Sequence, residues 1–408
     1  MIKIYPFKAL VPPANLAAEV ASEPYDVIST SEARERAAGK PNSYLHVVRS
    51  EIDLPHDTDP YDSAVYETAL KNLDSMVANG VLAEEKSPSI FLYRQIYQDR
   101  PQIGVVCCYD VEQYRSGNIK KHEKTRPDKE DDRTRHMTVC GAHAEPVFLT
   151  FQDHPVIQQL IDADSKGEPV FDFVAPDGVA HTAWRVSDPQ FYVTAFEEVE
   201  SAYIADGHHR TAGGERAATQ RQTANPNHTG QEEYNRVMAV MFPANQLRIL
   251  AYNRVVNDLN GLTANDFVMK LAMVGNVEPT NDPVPANAGT VCIYIGNRWY
   301  QLTFDPNSID QADPINSLDV ALLQSRILEP ILGVGDPRTD HRIGFVGGIR
   351  GTEELERRVN SGDVAVAFSM YPTSIEQLIN VSDQGQVMPP KSTWFEPKLR
   401  SGLFVHRF

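Results

Sequence analysis

The chain has 408 residues, of which 41% are hydrophobic and 23% charged, and its formal net charge is −17. That length holds two or three domains with buried cores, and the composition is that of an ordinary globular protein. The acid excess excludes a general nucleic-acid-binding surface, which needs a basic stripe to displace counterions. Cys107, Cys108, Cys140 and Cys292 show no CxxC spacing, so reduced thiols are expected rather than a disulfide framework or a zinc site. The N-terminus lacks the pattern of a signal peptide, and no apolar run approaches the roughly 20 residues of a membrane span. The expectation is a soluble, cytoplasmic protein with neither a nucleic-acid nor a membrane partner.

In chain order, Ser43–Val48 alternates as a strand should, and Tyr61–Val81 has helical spacing at Val65, Ala69, Leu73, Met76 and Val77 before the Asn79-Gly80 stop. Ser89–Tyr97 and Gln102–Tyr109 read as a hairpin, because no room exists between them for a crossover helix. Val156–Ile161 looks helical, Val170–Val174 and Val179–Val186 form a second hairpin, and Pro189–Val199 is a further helix. A strand, a tight turn and a helix running to about Thr223 are expected across Ser201–Arg210 and beyond. The glycines of Ala212-Gly213-Gly214 weaken that helix, either for close approach of a ligand or for tight packing. Arg236–Phe242 and Arg248–Val256 are strands. From about Leu262 the pattern is a helix at Ala264–Val274, a Pro/Asn-rich link at Asn276–Ala288, and a hairpin of Thr290–Ile295 with Trp299–Phe304. A long helix at Val320–Leu332 follows, then strand Ile343–Val346, helix Glu353–Asn360, strand Val364–Met370 and a short strand at Leu403–His406.

Two stretches carry candidate chemistry. Lys120–His136 holds seven Lys/Arg and five Asp/Glu in 17 residues. A solvated, salt-bridged helix after a Pro127-Asp128 turn would account for it. So would phosphoryl transfer, which uses cations for phosphate and carboxylates for magnesium and for a base. The second stretch, Tyr203–Ala212, reads Tyr-Ile-Ala-Asp-Gly-His-His-Arg-Thr-Ala. Gly207 can take a backbone angle closed to other residues. The amides opening the next helix lie at the positive end of its dipole, a seat for phosphate. His208, His209 and Arg210 add donors, and Asp206 could hold a metal or a proton. A turn whose polar residues cap a helix and face water is the bland alternative.

These motifs resemble a widespread bacterial and archaeal family of unknown-function proteins often labelled SpoOJ/ParB-like. The likeness runs nearly end to end. It includes Pro24-Tyr25-Asp26-Val27, Lys121–Pro127, Asp131–His136, Ala205–Arg210, Asp340–Gly348 and Met388-Pro-Pro-Lys-Ser-Thr393. The resemblance implies an α+β fold: a ParB/sulfiredoxin-like core with mixed and antiparallel sheets over 101–260, and additional α+β regions at 1–100 and 261–408. It also implies relatedness to the free serine kinases, whose strand–turn–helix motif binds nucleotide phosphates and whose upstream glutamate activates the acceptor hydroxyl. The matching residue is Glu123. The cysteine that sulfiredoxin chemistry needs is absent, since Gly207 stands near its place.

The function so implied is a nucleotide-dependent small-molecule kinase. Its partners would be ATP or ADP with Mg²⁺ and a hydroxy amino acid, free L-serine first, and the reaction is reversible in principle. Glu123, Asp206, His209 and Arg210 are the candidate catalytic residues. Gly207, His208, His209, Arg210 and Thr211 would hold the nucleotide phosphates, and Asp206 the magnesium. Lys121, His122, Arg126 and Arg133 are candidates for substrate binding. A metal-dependent phosphohydrolase and a non-catalytic nucleotide-binding switch of ParB type are the alternatives, and a homodimer is compatible with the sequence.

Overall fold

The computed structural model describes residues 1–408, which divide into two compact units. The first comprises Met1–Lys121, Thr125–Leu247 and Pro397–Phe408; the second comprises His122–Lys124 and Arg248–Glu396. The chain is mixed α+β, with several sheets. The division differs from the three consecutive regions expected from the sequence, and the strand pairing gives the reason. Ile4–Tyr5 and Phe91–Tyr97, both before residue 100, are hydrogen-bonded to Arg100–Asp110, so the N-terminal stretch and the expected core share one sheet.

That sheet has nine strands. In spatial order they are Ile119–Lys120, Ala202–Asp206, Val147–Phe151, Arg236–Pro243, Arg100–Asp110, Phe91–Tyr97, Ala180–Arg185 and Phe171–Val174, with Ile4–Tyr5 also paired to Arg100–Asp110. Val147–Phe151 runs parallel to Arg236–Pro243 and antiparallel to Ala202–Asp206, so the sheet is mixed. Every residue of Arg236–Pro243 is buried, as a strand covered on both faces requires. One core contains Val105, Cys107, Tyr109, Leu149, Ile204, Met241 and the inward residues of the helices Pro155–Asp164 and Pro189–Phe196. A second core gathers Leu10, Tyr44, Leu73, Ala142 and Val405 around the helix Ser63–Ala78.

The second unit is built on a six-stranded sheet in the order Gly275–Thr280, Arg298–Phe304, Thr290–Ile295, Val366–Met370, Tyr252–Val256 and Ile343–Gly347. All its pairings are antiparallel. Helix Glu353–Asn360 places Leu355 in a core with Val255, Cys292 and Ala367.

Both expected hairpins of the first unit form, as does that of Thr290–Ile295. Three expectations are corrected. Leu45–Val48 is a helical turn rather than a strand: Leu45, Val47 and Val48 are all buried, and a short apolar run does not distinguish the two by periodicity. The Pro/Asn-rich link begins as the strand Gly275–Thr280, which tolerates Pro279 because it pairs on one side only and lies at the sheet edge. The long helix expected at Val320–Leu332 is short, Asp319–Leu323, and continues as a wider turn in which Glu329 N donates to Gln324 O.

The helix Pro127–Cys140 is tied to Leu45–Val48 by His136, whose Nε2–H donates to Val47 O at 3.0 Å. Burial, helped by the nearby Arg133 cation, pushes the His136 pKa down to about 4. The folded state therefore prefers neutral His136. The stability gained is complete above the ordinary histidine value of 6.5 and is lost as pH falls from there toward about 4. Chemical denaturation of His136→Gln between pH 7 and pH 4 is expected to show a flatter decline than the wild type, by up to about 3 kcal/mol. Parallel declines would show that His136 titrates alike in both states.

Candidate active site at the Asp206–Thr211 turn

Ala202–Ile204 forms regular antiparallel pairs with Leu149–Phe151, and then the register slips, so that Asp206 rather than Ala205 opposes Phe148. An extra residue at a sheet position bends the strand and re-aims the residues beyond it. The chain then turns at Gly207, with φ +95° and ψ 31°, and enters the helix His208–Ala224 without a side-chain cap. The first intrahelical bond is Thr211 N to Gly207 O at 2.9 Å, so the amides of His208, His209 and Arg210 stand ahead of the ladder at the positive end of the dipole. This is the strand, turn and helix start expected from the sequence.

Arg210 braces the turn from beneath. It is buried, with 3% exposure; Nη1 donates to Pro146 O at 2.5 Å and Nη2 to Asp206 Oδ2 at 2.7 Å. Its Nε lies 3.0 Å from where a Cβ at position 207 would stand. Gly207 is therefore required twice, for its backbone angle and for the guanidinium packed against it. The other Asp206 oxygen, Oδ1, accepts from Lys398 Nζ at 3.1 Å. Burial alone would raise the Asp206 carboxyl, but the Lys398 and Arg210 cations hold it well below the usual carboxylate range.

The network continues inward to Arg133. Its guanidinium lies 3.8 Å from the centre of the Tyr25 ring and pairs with Asp132 at 2.7 Å and Glu145 at 3.6 Å. Glu145 in turn accepts from Tyr25 N at 3.1 Å and from Ser401 Oγ at 2.8 Å. Burial raises the Glu145 pKa, opposed by Arg210 and Arg133. Gly213 and Gly214 are explained by packing. A Cβ on Gly213 would lie 3.0 Å from Arg133 Cβ and 3.2 Å from Thr134 N, and one on Gly214 would lie 3.1 Å from His143 Cε1. The two helices thus meet at backbone distance, which fixes Arg133 relative to the turn.

The first unit accordingly brings together Asp206, Gly207, His208, His209, Arg210, Thr211 and Arg133. His208 is buried. His209 Nε2 accepts from Arg126 N at 3.1 Å, which requires an unprotonated Nε2 and links the turn to the residue that precedes the helix Pro127–Cys140. The Arg126 side chain itself is exposed and pairs with Asp128. Thr211 Oγ1 donates to Gly207 O at 3.2 Å. Lys121 is exposed, its Nζ 5.6 Å from the centre of the Tyr114 ring. His122 and Glu123 belong to the second unit, where Glu123 is half-buried. No group of three His, Cys, Asp or Glu side chains is placed to hold a metal, and both oxygens of Asp206 already face cations. The residues therefore do not fit a metal held by the protein alone.

Sequence reasoning missed Lys398, Glu145 and Ser401. Nothing in Glu396-Pro397-Lys398-Leu399 signals a partner 192 residues earlier. Gly207→Ala is expected to destabilise the protein by about 2 kcal/mol or more, combining left-handed strain with contact against Arg210. Gly230 supplies the control: it has φ +85° with nothing within 4 Å of an added Cβ, so Gly230→Ala costs only about 1 kcal/mol. Equal losses in urea denaturation would contradict the bracing role of Arg210.

Residues 4–321 match the model of a family described as a protein of unknown function (DUF1015), and the chain belongs to that family. Comparison with curated proteins finds no match. Among solved structures, a free serine kinase in complex with AMP is similar at TM-score 0.36 and 13% identity, covering 74% of this chain and 91% of that one. A conserved hypothetical protein from Pyrococcus furiosus is similar at TM-score 0.36 and 12% identity, covering 76% and 97%. SbnI with a C-terminal truncation, from Staphylococcus aureus, is similar at TM-score 0.38 and 11% identity, covering 74% and 87%. At these scores the likeness assigns neither residues nor chemistry to this chain. No helix is long and apolar enough to cross a membrane.

Proposed function

We propose that this DUF1015-family chain is a nucleotide-dependent small-molecule kinase, with the ParB/sulfiredoxin-like core its motifs suggest, acting on the hydroxyl of free L-serine or a related hydroxy amino acid. The observation that carries the reading is the left-handed Gly207 opening a 17-residue helix with no side-chain cap, so that three successive amides stand at the positive end of the helix dipole. Anionic phosphate is the ligand such a terminus favours.

In this reading the amides of His208, His209 and Arg210 hold the phosphates of ATP or ADP, and His209 orients the turn through Arg126 N. Arg210 acts as a positioning residue, because its Nη1 and Nη2 donate to Pro146 O and Asp206 Oδ2. Its charge, with that of Lys398, offsets Asp206 beside the phosphates. Lys121, His122, Arg126 and Arg133 remain the proposed substrate-binding set. Glu123 is assigned the base from the motif resemblance. The acceptor oxygen attacks the terminal phosphorus, its proton passes to the Glu123 carboxylate, and the bond to the departing nucleotide oxygen breaks. ATP leaves as ADP, or ADP as AMP, and the amino acid leaves phosphorylated. Positioning and charge neutralisation are most of what this chemistry asks of a protein. Magnesium would arrive on the nucleotide, as it commonly does.

Purified protein with magnesium and ATP or ADP is expected to convert L-serine to phosphoserine, followed by mass spectrometry. Glu123→Gln should slow conversion by about 100-fold or more, the usual contribution of a positioned base. Free phosphate without a phosphorylated acceptor would establish a phosphohydrolase instead, and nucleotide binding without either product a switch.

A further inference from the structure

The Met388-Pro389-Pro390-Lys391-Ser392-Thr393 stretch has no part in the chemistry above, yet the second unit invests several buried groups in it. Met388 N donates to His122 O at 2.8 Å, and Thr393 Oγ1 shares a hydrogen bond with His122 Nε2 at 3.1 Å. The two contacts grip His122 by its backbone and by its ring, and His122 is buried, with 2% exposure. Residue 123 comes directly after it.

The loop that makes this grip is itself locked. Lys391 sits at φ +57°, a left-handed angle that a side chain other than glycine adopts only when its surroundings impose it. Arg254, 3% exposed, donates from Nη2 to Lys391 O at 3.0 Å and to Pro390 O at 3.4 Å. Ser392 Oγ donates to Pro389 O at 2.6 Å, and Thr373 Oγ1 donates to Ser392 O at 2.9 Å. Arg254 is a buried cation whose acceptors are all main-chain carbonyls, and burial lowers its pKa to about 10. A guanidinium committed to loop carbonyls is costly to bury, and it fixes the loop at several points at once.

We propose that the Met388–Thr393 loop, locked by Arg254, is a clamp that positions Glu123 through His122, with Thr393 as the positioning residue. This rests on the kinase reading for the role of Glu123, but the clamp can be measured without it. A base must stay within hydrogen-bond reach of the proton it takes, and a displacement of about 1 Å costs on the order of 100-fold in rate. Two hydrogen bonds on the preceding residue supply that constraint.

The test uses the full chain with Thr393→Val, which removes the hydroxyl at nearly constant volume, and Thr393→Ser, which keeps it. Hydrogen exchange at the Met388 amide, which donates to His122 O, is expected to accelerate about tenfold or more in Thr393→Val, with exchange in the strands Thr290–Ile295 and Val366–Met370 unchanged as the control for folding. Phosphoserine formation should lose at least about tenfold in kcat while the KM for nucleotide stays within about twofold, and Thr393→Ser should restore both. Unchanged exchange at the Met388 amide overturns the clamp. Faster exchange with unchanged kcat overturns the positioning of Glu123. A wild-type protein that makes no phosphoserine refutes the kinase reading, while the exchange measurement still decides the clamp.

Discussion

The turn at residues 206–210 depends on one buried guanidinium. Arg210 reaches back under its own helix start to hold Asp206 and also takes the carbonyl of Pro146, at the head of the neighbouring strand. A charge this deeply buried is tolerated only where it is paired and hydrogen-bonded. Once it is in place, position 207 must be glycine, and the amides of His208, His209 and Arg210 stand ahead of the helix ladder. The same charge shapes its surroundings: Glu145 and Asp206 gather near it, Arg133 lies beyond Glu145, and Lys398 and Ser401 of the C-terminal segment close the network. The site is thus a consequence of how the fold neutralises one buried cation.

That arrangement assigns the roles of the conspicuous residues differently from a count of donors. Arg210, the obvious phosphate ligand in the sequence, faces inward as support. The main-chain amides of His208, His209 and Arg210 stand ahead of the helix ladder, at the positive end of its dipole, and are the anion seat of the proposed reading. His209 is a strut: its Nε2 takes the Arg126 amide and so couples the two helices that begin near the turn. Gly213 and Gly214 allow those helices to approach at backbone distance. The second unit holds its motif residues with equal firmness, through Arg254 and the loop ahead of Thr393.

Much of this was legible in the sequence because it is local. The helix start at His208, the left-handed glycine and the three hairpins each follow from turn chemistry and periodicity within a few residues. Two further helices carry a local start signal. Thr30–Ala37 and Ile375–Asp383 both begin with a reciprocal capping box, Ser29 with Glu32 and Ser374 with Gln377. Direction and distance could not be read. Nothing in Asp-Gly-His-His-Arg says that the arginine turns under the helix, because that depends on Pro146 and Glu145, about 65 residues away. Lys398 and Thr393 meet their partners across 192 and 271 residues. The strand expected at Ser43–Val48 failed for a related reason, since its buried residues answer to a core assembled from distant helices.

The central claim is that the amides opening the helix at His208 seat the phosphates of a nucleotide. A crystal structure of the full chain with ADP tests it most directly. The account predicts phosphate oxygens about 3 Å from the amide nitrogens of His208, His209 or Arg210, with the Arg210–Asp206 pair intact beneath Gly207. Phosphates bound elsewhere, or an Arg210 side chain swung out of its bond to Pro146 to meet them, would contradict it.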